Sequence, residues 1–304
     1  MNKILNTDHE AKLLEFLIEA FRDTKKIRVK EYLKRRQVSV NGRVTTQFDH
    51  LLKPGDKVRI ETFGTDGLTP SLRFNIEIVY EDDDLLVINK PVGLLSIATD
   101  KVRRETAIFA ANDYLNKKAG RGRAAPHYKK RIFIVHRLDR DASGLLVLAK
   151  HEAVKFKMQE NWGQFTKEYY AVVEGRPKKA AGTLTSYLTE NKVLRVFSGP
   201  RTPEAKKAVT HYEVIQPGEN YSLLKIRLET GRKHQIRVQL SDLGHPVAGD
   251  KTYGARTDPA GRLALHAWRL EFKHPETRHK LVLTSPLPPP LAACLKTETK
   301  SNSN

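Results

Sequence analysis

The chain has 304 residues, 39% hydrophobic and 29% charged, with 54 Lys and Arg against 35 Asp and Glu and a net charge of +19. That length suggests two domains with a sizeable buried core, and the cationic excess points to a polyanionic partner, because each phosphate contact releases condensed counterions. The single cysteine, Cys294, excludes an intramolecular disulfide and a multi-cysteine zinc site. No apolar run approaches the ~18 residues of a membrane span, and the start lacks the apolar stretch of a signal peptide, so the expected compartment is the cytoplasm.

Leu13, Leu14, Leu17 and Phe21 recur at helical spacing and predict an amphipathic helix over 11–21. A basic helical segment follows over 22–36, with Val29, Tyr32 and Leu33 as its apolar side. It carries Lys26, Arg28, Lys30, Lys34, Arg35 and Arg36, and only Asp23 and Glu31 oppose its cations. Alternating valines around Asn41-Gly42 predict a hairpin over 38–44, since Asn and Gly tolerate the positive φ of a type I′ turn. Pro54-Gly55-Asp56 then turns the chain into a strand over 57–62. Residues 1–62 so read resemble the alpha-L RNA-binding module that accompanies RNA-modifying enzymes and ribosomal proteins. The resemblance implies that the basic helix contacts RNA phosphates.

Residues 63–73 read as a linker punctuated by Gly64, Gly67 and Pro70. Strands are expected at 76–80 and 85–89, around an acidic turn, Glu81-Asp82-Asp83-Asp84, that reads as a solvated hairpin tip. A helix is expected over 105–116. Residues 117–131 hold seven cations, Arg121 and Arg123 among them, and no acid, as a phosphate-contacting arm would. Further strands are expected at 132–135, 145–149, 169–173, 209–215 and 222–228, and a helix at 234–243. Residues 293–304 read as a disordered polar tail. Many strands with few helices predict an α+β domain over 74–292, on a mixed, largely antiparallel sheet.

Between the strands at 132–135 and 145–149 lies His136-Arg137-Leu138-Asp139-Arg140-Asp141-Ala142-Ser143-Gly144. Loops held by rigid strands are where catalytic groups usually sit. Asp141 and Ser143 have an ordinary reading as turn residues. Asp139 stands between two arginines, whose charge favours its ionised form.

This loop resembles the signature of the RluA family of pseudouridine synthases, His-Arg-Leu-Asp-Arg-x-Thr-Ser-Gly, and departs from it at Ala142, where a local hydrogen bond is expected to be lost. Asn89-Lys90-Pro91-x-Gly93, Lys167-Glu168-Tyr169-Tyr170, Thr230-Gly231-Arg232-Lys233-His234-Gln235-Ile236-Arg237, Gly244-His245-Pro246-x-x-Gly249-Asp250 and Leu265-His266-Ala267 resemble the family's other motifs, in order, across about 76–290. Gln239 stands where the family often has His. The resemblance implies an isomerase of uridine in RNA with no cofactor and no metal. Asp139 would be its essential carboxylate, Tyr169 the ring stacked on the base, and Arg237 the cation that pairs with Asp139. Arg137 would fill the gap left by the extruded base, and Arg140 would touch RNA. His136 reads as structural, and His234 and His266 as structural or RNA-contacting.

The chemistry fits one ionised carboxylate. The glycosidic carbon–nitrogen bond must break and the base must rejoin the sugar through carbon five, with no redox change. The carboxylate either attacks as a nucleophile or removes a sugar proton. A glycosidase needs two cooperating carboxylates and a two-metal nuclease needs several. Neither set stands out, and RNA binding alone would not need the full set of motifs. The module favours large-subunit ribosomal RNA as substrate, with transfer RNA the alternative, and a monomer is expected.

Overall fold

The computed structural model describes residues 2–22, 26–34, 38–61, 76–100, 102–118, 131–191 and 193–296. The chain divides into two compact units, Met1–Thr69 and Pro70–Asn304. No helix among the described residues is long and apolar enough to cross a membrane.

The first unit runs β1 (Asn2–Asn6), β2 (Ala11–Lys12), α1 (Leu13–Ala20), α2 (Lys26–Lys34), β3 (Val38–Val40), β4 (Arg43–Val44), β5 (Leu51–Leu52) and β6 (Lys57–Glu61). Four strands form an antiparallel sheet in the order β1-β6-β3-β4. Asn41 (φ 50°) and Gly42 (φ 81°) close the hairpin between β3 and β4, as a type I′ turn requires. Leu13 and Leu17 of α1 pack with Val29 and Leu33 of α2 and with Val40 and Ile60 of the sheet. β1 pairs with β6 along its whole length, where the sequence suggested no strand. On α2, Lys26 and Lys30 are exposed, and Arg28 and Lys34 lie on the same helix. Arg35 and Arg36 lie outside the described residues, as does the expected linker over 63–73.

The second unit is built on an eleven-stranded sheet. Its strands are β7 (Glu77–Glu81), β8 (Leu85–Lys90), β9 (Phe133–Ile134), β10 (Ser143–Ala149), β11 (Thr166–Glu174), β12 (Ala181–Glu190), β13 (Val196–Gly199), β14 (Lys206–Gln216), β15 (Tyr221–Leu228), β16 (Leu265–Lys273) and β17 (Lys280–Thr284). The order is β13-β12-β14-β15-β11-β16-β10-β8-β7, with β17 on β16 and β9 on β10. Every pairing is antiparallel except β10 with β16. At that parallel contact Gly144 faces Ala267, and a Cβ on Gly144 would lie 2.2 Å from the Ala267 carbonyl oxygen. With φ +113° as well, only glycine fits there.

The helices are α3 (Ala107–Lys118), α4 (Glu152–Glu160), α5 (Gln235–Asp242) and α6 (Pro289–Cys294). α3 covers one side of the sheet, burying Ala107, Ala111 and Leu115 against Leu86, Ile88, Leu146 and Leu148. α4 covers the other, with Val154 and Met158 against Leu85, Val87, Leu145 and Val147.

Three expectations need correction. The strand expected at 132–135 shrinks to Phe133–Ile134, because the Ile132 amide bonds the Asn112 side chain of α3 (2.9 Å) instead of a strand. The turn at 81–84 is not merely solvated: Glu81 accepts from Lys150 (2.9 Å), Lys118 (2.8 Å) and the Tyr114 hydroxyl (2.8 Å). His274 reaches Asp82 at 2.9 Å. Its Nδ1 accepts backbone N–H groups from Glu276 and Thr277, which puts the ring proton on Nε2. The disordered tail expected from residue 293 does not hold at its start, since α6 runs through Cys294 and buries it. Residues 297–304 lie outside the described residues.

Candidate active site

The loop between β9 and β10 is pinned from below by the segment that follows β8. The Ser96 hydroxyl donates to the Leu138 carbonyl (2.8 Å) and accepts the Leu138 N–H (3.0 Å). The Gly93 N–H donates to the Arg140 carbonyl (2.9 Å). Lys90 is fully buried, and its Nζ donates to the carbonyls of Leu94 (2.8 Å), Pro91 (3.0 Å) and Arg140 (3.1 Å). Burial pushes the Lys90 ammonium down to about 7, against the pull of Asp139 and Asp141. Lys90→Met should leave three carbonyls short of a donor and cost about 1–3 kcal/mol, read by denaturant melts. The pH sign is fixed by the lowered value. Between about 7 and the ordinary 10.5 the unfolded chain binds the extra proton, so wild-type stability relative to Lys90→Met should rise from pH 7 to pH 9.

At the tip of the loop, Asp139 Oδ2 accepts from Arg237 Nη1 at 3.2 Å. The His234 ring stands on the other side, with Nε2 3.9 Å from Oδ1. Among the described residues, Arg237 is the cation that bonds Asp139, and His234 is the ring nearest its other oxygen. Arg140, expected beside Asp139, instead pairs with Asp141 (2.9 and 3.1 Å). Arg137 is exposed on the rim.

Arg237 sits in the first turn of α5 and is itself held. Its Nε and Nη2 donate to both oxygens of buried Asp250 (2.7 and 2.8 Å). The guanidinium lies 5.0 Å from the centre of the Tyr253 ring. Burial disfavours the Arg237 charge, but Asp250 and Asp139 outweigh it and raise its pKa. The arginine thus spends one edge on a structural carboxylate and offers the remaining nitrogen to Asp139.

Tyr169 lies on β11, one strand beyond β16 from Gly144. It packs with buried Ala171 and Val173 on one side of the core and with Leu138 and Ala267 on another. Burial, with Asp139 adding to it, pushes its hydroxyl well above the usual range, so the phenol stays protonated. Asp139, Tyr169, Arg137, His234, Arg237 and Trp162 line one cleft. Arg121 and Arg123, like the rest of 119–130, lie outside the described residues.

His136 also lines the cleft, but its ring is taken up by structural contacts. Its Nε2 accepts the Val147 N–H (3.0 Å) and its ring stacks on Trp162 at 4.3 Å. Burial pushes it down to about 3, so it is a neutral strut. His266 is also structural. Its Nδ1 meets the Ser143 hydroxyl (2.8 Å), which Arg262 also contacts (2.7 Å). Ser143 is therefore a strand residue tying β10 to β16, not a turn residue. Ala142 is buried in the main core, and Gln239 bonds Ser186 (2.9 Å) and the Ala208 carbonyl (3.2 Å), fixing α5 to β12 and β14.

Sequence reasoning had no role for Lys90, Asp250 or Tyr253. The first two stood inside quoted motifs and could have been singled out as charges in apolar company. Tyr253 and Arg262 carried no signal.

Residues 84–242 match the family model described as RNA pseudouridylate synthase. The chain belongs to that family. It is 33% identical to a protein of Salmonella typhimurium named ribosomal large subunit pseudouridine synthase D, over 91% of this chain and 87% of that protein. It is also 33% identical to an uncharacterized RNA pseudouridine synthase of Bacillus subtilis, over 99% of this chain and the whole of that protein. Among solved structures, human RNA pseudouridylate synthase domain containing 4 superposes with a TM-score of 0.58 at 26% identity, covering 71% of this chain and 90% of that one. The mixed, largely antiparallel sheet expected from the sequence is the sheet observed, and the chain is a pseudouridine synthase of the RluA type.

Proposed function

We propose that this synthase isomerises uridines in large-subunit ribosomal RNA and that Asp139 is its catalytic carboxylate. The observation that carries the mechanism is Asp139 on the cleft wall, gripped at Oδ2 by Arg237 and open at Oδ1. Arg237 orients the carboxylate by bonding Oδ2. Asp139 then either attacks the sugar carbon that bears the base or removes a proton from the neighbouring sugar carbon. In both routes the carbon–nitrogen bond breaks and the base turns. Ring carbon five then bonds the sugar, displacing Asp139 from the sugar carbon in the first route. In the second, Asp139 returns its proton to the neighbouring carbon. The carbon-five proton leaves as the freed ring nitrogen gains one. Tyr169 supplies the apolar wall on which the base stacks and a hydroxyl that remains a donor. Neither of the other nearby carboxylates is free for a two-carboxylate hydrolysis. Asp141 is taken by Arg140 and Asp250 by Arg237.

Helical RNA shields its bases, so the target must be extruded or already unpaired. Exposed Arg137 on the rim is suited to fill the vacancy. Lys26 and Lys30, with Arg28, Lys34, Arg35 and Arg36, supply phosphate contacts from an alpha-L-type module over 1–62, joined by a linker to the catalytic domain. Arg121, Arg123 and Arg140 add further contacts. The enzyme acts as a monomer in the cytoplasm. The substrate choice rests on the names of the relatives. It is tested by incubating the purified chain with unmodified transcripts of large-subunit ribosomal RNA and of transfer RNAs, then mapping pseudouridine by carbodiimide-blocked primer extension. Stops in ribosomal RNA alone are expected; stops confined to transfer RNA would overturn the choice.

A further inference from the structure

His234 is built into the site more deliberately than a phosphate-contacting histidine needs to be. It is a non-glycine residue at φ 52°, at the position that caps α5, a left-handed backbone conformation that is disfavoured for such residues and persists where surroundings impose it. Its orientation is fixed by Tyr253. That buried tyrosine accepts the Val196 N–H at 3.2 Å, and its hydroxyl lies 2.8 Å from His234 Nδ1. Among the described residues, Nδ1 is the partner for the hydroxyl hydrogen. Nδ1 is then the acceptor, and the ring proton sits on Nε2. Burial lowers the His234 pKa, with Asp139 opposing and Arg237 and Lys233 assisting, which keeps the ring neutral.

The protonated Nε2 therefore stands 3.9 Å from Asp139 Oδ1, the oxygen that Arg237 leaves open, too far for the two to bond directly. The gap has a definite size. An oxygen about 2.8 Å from both atoms closes a triangle on that base with an apex near 90°. One hydroxyl can sit there, accepting from His234 and donating to Asp139. A carbonyl could not, because Asp139 offers no proton, and an amine would present a second donor to a histidine that is already one. Both side chains are partly exposed, at 20% and 24%, on the same cleft.

We infer that His234 Nε2–H and Asp139 Oδ1 together bind the ribose 2′-hydroxyl of the target uridine. The inference rests on the reading that Asp139 acts on a uridine of RNA. The 2′-hydroxyl is both donor and acceptor, and it is the group by which a site tells RNA from DNA. It also neighbours the sugar carbon that bears the base, so anchoring it sets Asp139 against the reacting carbons. His234 is then a substrate-binding residue, and Tyr253 is the residue that positions it.

The test has two arms. In the full chain labelled with 15N-histidine, His234 is assigned by its loss in His234→Asn, a variant chosen because asparagine tolerates the left-handed backbone. The Nε2–H tautomer is expected near neutral pH. Uridine 5′-monophosphate should shift the His234 resonances, and 2′-deoxyuridine 5′-monophosphate should not. An Nδ1–H tautomer, equal shifts from the two nucleotides, or no shift from either overturns the inference. In the second arm, His234→Asn should lower kcat on the unmodified transcript about ten- to a hundred-fold. A transcript carrying 2′-fluorouridine, which cannot donate, should slow the wild type comparably and the variant little further. Penalties that multiply in full would show that the two groups do not meet. If the wild type forms no pseudouridine in any transcript, the catalytic reading fails, while the tautomer and the nucleotide contrast still decide the hydroxyl site.

Discussion

Asp139→Asn should abolish pseudouridine formation, by at least about 10⁴-fold in kcat, and leave the fold intact. The amide is isosteric and keeps an oxygen for Arg237 Nη1, but it is neither a nucleophile nor a base near pH 7. The stability cost should be small, about 1 kcal/mol or less. Asp139 is 24% exposed, and Arg237 retains both bonds to Asp250 without it. Single-turnover assays on a transcript that the wild type modifies, beside thermal melts of both proteins, separate the two effects. Activity within tenfold of wild type would show that another group does the chemistry. A melting temperature lower by more than about 5 °C would show that Asp139 is part of the scaffold.

The separation of chemistry from scaffold explains what the sequence could reveal. Asp139 stood out as a carboxylate between arginines in a polar loop flanked by apolar strands. Tyr169 and Arg237 were singled out only by the resemblance to the family, since an aromatic on an apolar strand face reads first as core. The strands were legible from their own residues. β8 and β10 are buried on both faces and read as unbroken apolar runs. β12 was missed because only Leu188 of its ten residues is buried, so its pattern is diluted. β1 was missed because a five-residue polar-ended segment offers no local pattern, and its place is set by pairing with β6, a contact nearly sixty residues away. The supports of the site were illegible in the same way. Ser143 looked like a turn residue until His266 and Arg262 were seen on its hydroxyl. Lys90 is the largest fully buried side chain among the described residues, yet nothing in its local sequence announces the three carbonyls that its ammonium bonds. Long-range partners, rather than local propensity, decide such residues.

Arg237 shows what happens when one residue serves both purposes. Arg237→Met should destabilise the protein by about 3–5 kcal/mol, because it leaves the Asp250 carboxylate, 1% exposed, with no counter-charge. For a chain of this size that is roughly a 10 °C fall in melting temperature. The same change frees Asp139 from its orienting bond, so kcat should fall about 10²- to 10³-fold. The two losses separate in the double variant Arg237→Met/Asp250→Leu. An apolar pair of similar volume no longer buries an unpaired charge, and replacing a buried ion pair in this way is often neutral or better. Most of the stability should therefore return. The activity should not, since nothing then grips Asp139 Oδ2, and that contrast assigns the pairing to catalysis. Melting temperature and kcat measured on all three proteins decide it. If activity returns with stability, Arg237 matters only as the partner of Asp250, and Asp139 needs no cation. If neither returns, the Asp250 bonds that hold α5 against the loop at Val247–Tyr253 do more than balance a charge, and the single-variant loss of activity follows from a displaced helix rather than a released carboxylate.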